Sequence, residues 1–203
     1  MKRELLNGRW IGSYVLGDAL PVTFEAQVPG CAHTDLLRCG LLTDYMRGYG
    51  SKECQFVEKA QFTDEREFYF QGNPAGMQLV FKGLDTYCDI FLNGQKLGSG
   101  DDMFLSYVFP VEDNIKSGCN HIEVRFYPPA EMVADRPTYP AAFTNERMHI
   151  RRMQCTFGWD WVDRFVTMGI IDDVWLQKPS STELDSLYAA TTQIDEEGAE
   201  DEE

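Results

Sequence analysis

Alternation of apolar and polar residues in short segments is the feature that most limits how this chain can fold. Met77–Phe81, Tyr87–Leu92 and Ile122–Phe126 place apolar residues at every second position, which is the period of a β-strand with one buried face. Asn93-Gly94 follows the second segment and favours a type I′ turn, because both central residues of that turn need a positive φ. Helical periodicity is scarce, so the sequence predicts an all-β fold of the sandwich or jelly-roll kind.

Four further segments have the composition of strands, and two long segments interrupt the strand pattern. The additional predicted strands are Phe68–Phe70, Gln95–Gly98, Leu105–Val111 and Val174–Gln177. A short helix is predicted at Asp35–Cys39 after the capping residue Thr34, and Asn145–Arg152 is predicted as either two helical turns or an irregular loop. Long loops on a sandwich commonly carry function, which directs attention to Val28–Cys54 and Pro128–Val162.

The composition excludes several classes of protein. Of the 203 residues, 43% are hydrophobic, which is enough for one substantial core. The formal net charge of -15 would repel a phosphate backbone, which argues against nucleic-acid binding. No segment approaches the roughly 18 apolar residues of a membrane span, and the first residues lack the apolar centre of a secretory signal. We therefore expect a soluble, cytoplasmic protein with no membrane partner, unless a signal precedes Met1.

The cysteines give no indication of a metal site. All six are widely spaced without a CxxC pair, and no histidine stands near them at the spacing of a zinc site. The sequence also contains no motif that requires a cofactor. Cys88 lies within an apolar alternation and is interpreted as a small buried side chain, which favours free thiols over three disulfides.

The C-terminal part of the chain differs in composition from the rest. Nine of the 33 acidic residues follow Pro179, and no lysine or arginine does. Leu184–Ile194 has the composition of one β-strand, but a single strand cannot bury a face by itself. We therefore expect one domain over residues 1–178. Residues 179–203 are expected to comprise a linker, the first strand of an incomplete second domain and a disordered acidic end.

The densest chemical signal is the segment Phe157–Trp161, which reads Phe-Gly-Trp-Asp-Trp and follows the pair Arg151-Arg152. The C–H faces of a pyranose ring stack on indole, and its hydroxyl groups bind to charged or planar groups such as those of Asp and Arg. Two tryptophans that flank Asp160 therefore suit a sugar. The alternative is that both tryptophans are buried anchors and Asp160 caps a loop, since tryptophan is mostly buried.

Six segments, in order along the chain, resemble the N-terminal sugar-binding domain of glycoside hydrolase family 2, and most of all its β-mannosidase subgroup. They are Val28–Leu37, Gly83–Gly98, Asp101–Val111, Cys119–Pro129, Phe157–Trp161 and Gly169–Leu176. The block Gln55–Glu58 is similar to the Gln-Trp-(Ile/Val)-Glu of that subgroup, with Phe56 in place of Trp. The resemblance covers roughly residues 8–178.

The resemblance implies a galactose-binding-like jelly-roll β-sandwich. In complete enzymes of the family an immunoglobulin-like domain follows, for which Leu184–Ile194 would be the first strand, and then a TIM barrel with both catalytic carboxylates. A TIM barrel needs about 250 residues, so no catalytic residue is expected in this chain. Asn145-Glu146 is similar to the acid/base motif of that barrel, but it lies between strands of the sandwich and receives no catalytic role. The implied partners are the terminal β-linked sugar of an oligosaccharide and the catalytic barrel of the same polypeptide.

The resemblance also implies roles for individual residues. In complete enzymes the matching loop reaches into the active site of the barrel. Asp160 would therefore accept hydrogen bonds from sugar hydroxyls, Trp159 would form a wall of the pocket, and Trp161 would support the loop. Val162-Asp163 stand where the subgroup has Gly-Pro, a departure that bears on the backbone path of the loop and on mannose specificity.

Three further residues and three alternative functions are considered. Arg151 and Arg152 are candidates for the same sugar site or for pairing with acids of other domains, whereas His33 is interpreted as a structural residue of its turn. Within the same family the domain would instead serve a β-galactosidase or a β-glucuronidase. Outside it, the chain would be a self-contained carbohydrate-binding module, or a structural interaction domain whose tryptophans pack against a neighbour.

Overall fold

The computed structural model describes residues 2–140, 143–180, 182, 186–195 and 198–202. Most of the regular structure among them is β-strand. The strands are β1 (Lys2–Leu5), β2 (Gly8–Val15), β3 (Val22–Val28), β4 (Gln61–Phe70), β5 (Gln78–Phe81), β6 (Leu84–Asp85), β7 (Cys88–Leu92), β8 (Gln95–Gly100), β9 (Tyr107–Pro110), β10 (Gly118–Phe126), β11 (Gly169–Ile170), β12 (Val174–Lys178), β13 (Ala190–Asp195) and β14 (Gly198–Glu202). The helices are α1 (Ala32–Arg38) and α2 (Gly50–Glu53), with 3₁₀ turns at Cys54–Lys59, Glu131–Val133, Glu146–Met148 and Gln154–Phe157.

Two antiparallel sheets form the body of the fold. The larger sheet has six strands in the order β3-β2-β4-β10-β7-β8, and the smaller has four in the order β1-β12-β5-β9. A separate short pair joins β6 to β11. Several neighbours are distant in sequence, such as β1 beside β12 and β4 beside β10, which is the connectivity of a jelly roll and not of a simple meander. The predicted all-β sandwich is confirmed.

The core lies between the two sheets. In β10 the alternate residues Asn120, Ile122, Val124 and Phe126 are buried, as the period-two pattern requires. The apolar residues of this strand belong to the same continuous cluster as Leu79 of β5 in the smaller sheet. The inner faces of both sheets therefore share one hydrophobic core.

Turn and helix predictions hold with shifted bounds. Asn93 and Gly94 join β7 to β8 with φ values of 52° and 79°, the positive values that the predicted turn needs. The predicted helix is present as α1, but it begins at Ala32 and contains Thr34 instead of following it. The Thr34 hydroxyl donates to the carbonyl of Cys31 at 2.8 Å, so this side chain stabilises the first turn from inside the helix.

Strands β2 and β3 have no counterpart among the predicted strands. In β2 the alternation is broken, because Ile11 faces solvent while Gly12 lies on the inner face against the ring of Phe24. In β3 the inward residues Phe24, Ala26 and Val28 do alternate with more exposed ones. β3 pairs with β2, whose alternation is broken. A strand is harder to identify from sequence when the strand it pairs with shows no clear pattern.

The C-terminal segment differs from its prediction. Residues 183–185 lie outside the described part of the chain, and the strand found within the predicted Leu184–Ile194 is β13, which begins at Ala190 and pairs with β14. β14 comes from the acidic end, which the composition predicts to be disordered. Pairing of β13 with β14 satisfies backbone groups of both strands. The domain boundary after residue 178 and the immunoglobulin-like second domain stay predictions.

Strand β4 carries a carboxyl group on its core-facing side. Asp64 is buried between Gly12 of β2 and Val124 of β10. Burial raises the pKa of Asp64 to about 7, and the negative charge of Asp35 acts in the same direction. Asp35 of α1 is itself buried, which raises the pKa of its carboxyl, although it accepts a hydrogen bond from the Gln27 backbone N–H at 3.2 Å. Two buried carboxyls therefore link the stability of the fold to pH.

We expect the free energy of unfolding to fall between pH 5 and pH 8, and Asp64→Asn to remove much of that fall. The folded chain holds a proton on Asp64 from its ordinary pKa of 3.8 up to about 7, whereas the unfolded chain has released it. The resulting stability is complete below about pH 4 and is lost as pH rises through about 7. From pH 5 to pH 8 the loss is about 2–3 kcal/mol. Urea unfolding of the wild type, Asp64→Asn and the exposed control Glu67→Gln on the same strand measures it. An unchanged pH dependence in Asp64→Asn contradicts the raised pKa.

Candidate sugar-binding loop

Asp160 and Trp161 form the tip of a tight loop between β10 and β11. The base of this loop is closed by a hydrogen bond from the Trp159 N–H to the Val162 carbonyl at 2.9 Å. Gly158 precedes it with a φ of 93°, a value that residues with a side chain rarely adopt. Asp160 and Trp161 are both exposed.

The indole of Trp159 is held by two neighbours. The ring of Phe143 stacks on it with centroids 4.6 Å apart and an interplanar angle of 23°. The guanidinium carbon of Arg147 lies 4.6 Å from the Trp159 ring. Trp159 is 39% exposed, whereas Trp161 is 70% exposed and stacks on no ring in the described part of the chain. The resemblance assigns the supporting role to Trp161, but in this structure Trp159 is the residue that is packed and Trp161 has open faces.

Arg164 ties the loop to the rest of the fold. Its Nε donates to Glu58 at 2.7 Å, and its Nη1 lies 2.8 Å from a carboxylate oxygen of Glu146. Its backbone carbonyl accepts a hydrogen bond from the Gln55 side chain at 3.0 Å. The two ends of the block Gln55–Glu58 therefore hold this loop, and Glu146 of the Asn145-Glu146 dipeptide is an ion-pair partner of Arg164.

Arg152 lies in the core, in contrast to its prediction as a sugar-binding residue. Its side chain is fully buried, and its Nη2 donates to Asp85 at 3.1 Å and to the Thr167 hydroxyl at 2.9 Å. Burial lowers the pKa of the Arg152 guanidinium, and the negative charge of Asp85 opposes that shift. A side chain with no exposed surface cannot contact a ligand outside the fold. The geometry therefore assigns Arg152 to the support of the loop, beneath the ring of Phe157 at 5.3 Å.

Arg151, unlike Arg152, lies at the surface and is accessible. Its side chain is 75% exposed. Its Nε donates to Asp102 at 3.3 Å, and its guanidinium carbon lies 5.8 Å from the ring of Phe104. Exposed ion pairs of this kind contribute at most about 1 kcal/mol, so an incoming carboxylate or hydroxyl can compete with Asp102 for this guanidinium.

His33 packs as a structural residue, but its buried Nδ1 has no hydrogen-bond partner among the described residues, so this atom does not satisfy a backbone group of its turn as the sequence predicts. It is buried, and its ring meets those of Phe165 and Tyr45 edge to face at 5.8 and 6.4 Å. Burial lowers the pKa of His33 to about 4, and the positive charge of Arg152 acts in the same direction. The imidazole is therefore neutral at pH 7 and packs as an aromatic side chain.

The sequence did not indicate the two residues that hold the indole of Trp159, which are Phe143 and Arg147. No periodic pattern or motif marks them, because an irregular segment brings them to Trp159. Glu58 could have been found from the sequence, because it belongs to the block Gln55–Glu58 that resembles the β-mannosidase subgroup. The resemblance assigns no role to that block.

Other features of the surface do not converge on the loop. A groove of about 640 Å³ crosses the outer face of the six-stranded sheet, with Ile11, Glu25, Glu65 and His121 among its lining residues. None of the predicted sugar-binding residues lines it.

The described residues contain no group of three or more His, Cys, Asp or Glu side chains that could hold a metal ion. No helix in the same part of the chain is long and apolar enough to cross a membrane, and the six cysteines are free thiols.

Known proteins similar in sequence share this domain. Residues 12–172 match the family model described as "Glycosyl hydrolase 2 galactose-binding domain-like". The beta-mannosidase of Bos taurus is 31% identical over an alignment of 168 positions, which covers 75% of this chain and 19% of that protein. Beta-mannosidase B of Thermothelomyces thermophilus is 32% identical over an alignment of 181 positions, which covers 85% of this chain and 21% of that protein. The chain thus spans about a fifth of the length of these curated relatives.

Solved structures agree with the sequence comparisons. The crystal structure of the beta-D-mannosidase from Dictyoglomus thermophilum matches with a TM-score of 0.86 and 32% identity, and the match covers 96% of this chain and 25% of that chain. A beta-D-glucuronidase from the same organism matches with a TM-score of 0.58 at 13% identity, over 96% of this chain and 31% of that one, which shows a common fold alone. The galactose-binding-like jelly-roll β-sandwich is thereby confirmed, and the chain belongs to the family of glycosyl hydrolase 2 galactose-binding-like domains.

Proposed function

We propose that this chain is the non-catalytic N-terminal sugar-binding domain of a retaining exo-β-glycosidase of the β-mannosidase type. The observation that carries the proposal is the similarity to the beta-D-mannosidase of Dictyoglomus thermophilum, at 32% identity over 96% of the chain. The beta-D-glucuronidase of the same organism covers the same share of this chain at only 13% identity. The sequence likeness therefore favours a mannoside over a glucuronide as the substrate.

The exposed loop has the chemistry that a terminal sugar needs. The Asp160 carboxylate is exposed and has no hydrogen-bond partner among the described residues, so it is available to accept bonds from sugar hydroxyls. Such charge-assisted bonds contribute about 1.5–3 kcal/mol each. The open faces of Trp161 suit the C–H face of a pyranose ring. Trp159, whose indole stacks on Phe143, would form a wall of the sugar site.

The domain would act on catalysis by position alone. In a retaining glycosidase a carboxylate nucleophile and a separate acid/base lie about 5–5.5 Å apart, and the reaction passes through a covalent glycosyl-enzyme intermediate. We place both of these residues in the catalytic barrel of the same polypeptide. Contacts far from the bond that breaks increase the rate only if they hold the sugar better in its transition-state shape. Asp160 would supply such a contact.

Exposed apolar side chains close in sequence to Arg151 or to its neighbour Phe104 suit docking of this domain onto the barrel. Phe104, which lies under the Arg151 guanidinium, and Leu105, Met148 and Met153 are each at least half exposed. Exposed apolar side chains and an accessible arginine in contact with one of them are typical of a surface that another domain covers.

The complete gene product that contains this chain is expected to hydrolyse 4-nitrophenyl β-D-mannoside in preference to the corresponding galactoside and glucuronide. The 203-residue chain alone should hydrolyse none of them, because the catalytic carboxylates lie elsewhere. A preference for another glycoside would move the protein to another branch of the family. Tight glycan binding by the chain alone, together with an inactive complete product, would overturn the proposal in favour of a self-contained carbohydrate-binding module.

A further inference from the structure

Arg147 is a buried cation, and two of its three guanidinium nitrogens have no hydrogen-bond acceptor among the described residues. It is only 6% exposed, and the two nitrogens are Nε and Nη1. Buried arginines normally pair with a carboxylate, as Arg152 does with Asp85 in this fold. Because unpaired charged donors cost free energy on folding, hydrogen bonding does not account for the position of Arg147.

The contacts of Arg147 are with the faces of two aromatic rings. Its guanidinium carbon lies 4.6 Å from the ring of Trp159 and 5.0 Å from the ring of Phe143, and these rings stack on each other. Attraction between a cation and an aromatic face is stronger away from water. A planar guanidinium also stacks on a ring in a way that the ammonium of lysine cannot. The three side chains therefore form one cluster, in which the cation contacts both rings.

The backbone of Phe143 provides an independent sign that this cluster is built at a cost. Its φ is 64°, in the left-handed region that a bulky residue rarely occupies. Such conformations persist where the surroundings hold them, and they concentrate at functional sites. A strained backbone and an unpaired cation thus meet at the same indole.

We propose that Arg147 is a positioning residue of the sugar site. Together with Phe143 it fixes the indole of Trp159, and the hydrogen bond that closes the loop transmits this orientation to the tip that carries Asp160. Arg147 does not contact the sugar in this role. The catalytic consequence rests on the proposed function, whereas the positioning is a property of the chain itself and can be tested without any enzyme activity.

The first test observes the loop in the 203-residue chain. The four indole N–H signals in an NMR spectrum are assigned by single Trp→Phe substitutions. Arg147→Met is expected to shift the signals of Trp159 and Trp161 and to leave those of Trp10 and Trp175, which lie in the sandwich, in place. The Tm should stay within about 3 °C of the wild type, because the loss of the ring contacts is offset by the removal of unpaired donors. The control is Arg136→Met, which removes an exposed arginine from the same irregular segment and should shift none of the four.

The second test observes catalysis in the complete gene product. Arg147→Met is expected to lower kcat/KM for the aryl β-mannoside about 10-fold, mainly through kcat, because the sugar is bound but misplaced. Arg147→Lys keeps the charge without the planar group and should not restore the rate. Phe143→Tyr keeps the stacked ring and should retain it, whereas Phe143→Leu should not.

Several outcomes would overturn the role of Arg147. An unshifted Trp159 signal in both Arg147→Met and Arg147→Lys would show that Arg147 does not hold the indole. A large loss of Tm with unchanged kinetics would mark a purely structural residue. If the wild-type product hydrolyses no glycoside, the proposed function fails by itself, and the NMR comparison still decides whether Arg147 positions the loop.

Discussion

Replacing Asp160 with alanine in the complete gene product is expected to lower kcat/KM for an aryl β-mannoside at least about 100-fold. A charge-assisted hydrogen bond to a sugar hydroxyl is worth about 1.5–3 kcal/mol, and misplacement of the anomeric carbon adds to the loss. The fold should be unaffected, because backbone atoms of Trp159 and Val162 close the base of the loop. Steady-state kinetics of the complete product and the Tm of the 203-residue chain measure the two effects separately.

A matched control for Asp160 lies three residues further on. Asp163→Ala removes another exposed carboxylate from the same loop and should leave kcat/KM within about 2-fold of the wild type. If Asp160 were instead a loop cap, its replacement would cost the chain about 1 kcal/mol of stability and leave the kinetics nearly normal. That pair of results would contradict the assignment of Asp160 to the sugar site.

Arg152→Met is expected to destabilise the chain by about 3–5 kcal/mol, because it leaves the carboxylate of Asp85 buried without its counter-charge. Both side chains of this ion pair are completely buried, so water cannot replace the lost guanidinium. Urea unfolding of the chain, followed by far-UV circular dichroism, gives the change in free energy.

Two further variants keep this prediction testable if Arg152→Met does not fold. Thr167→Val removes a hydroxyl that donates to Asp85 at 2.6 Å but leaves the cation in place, so we expect a loss of about 1–2 kcal/mol. Combining Arg152→Met with Asp85→Asn removes the unpaired charge and should recover part of the stability. A loss below about 1 kcal/mol in every variant would show that this ion pair does not hold the loop.

Segments with strong local patterns were predictable from the sequence. β7 and β10 follow their alternation of apolar and polar residues, and Asn93-Gly94 makes the turn that its side chains favour. These features depend on residues within a few positions of one another. β2 was not predictable in this way, because its exposed Ile11 and inward Gly12 hide the period.

The two neighbouring arginines show where sequence reasoning about the site stops. Arg151 and Arg152 have the same chemistry and adjacent positions, yet the side chain of the first is 75% exposed and that of the second is completely buried. Their segment is irregular, so no period indicates which residue faces inward. Only the packed structure assigns the first to the surface and the second to Asp85.

The sequence by itself determined the all-β class and the hairpin at Asn93-Gly94, and it marked Trp159–Trp161 as a candidate sugar site, because each of these depends on neighbours along the chain. The tertiary structure alone decided what supports that segment. Glu58 meets Arg164 across 106 positions, and Asp85 meets Arg152 across 67. Contacts between such distant residues form only when the two sheets pack and the irregular segments pack against them. Local periodicity does not indicate how an irregular segment will pack.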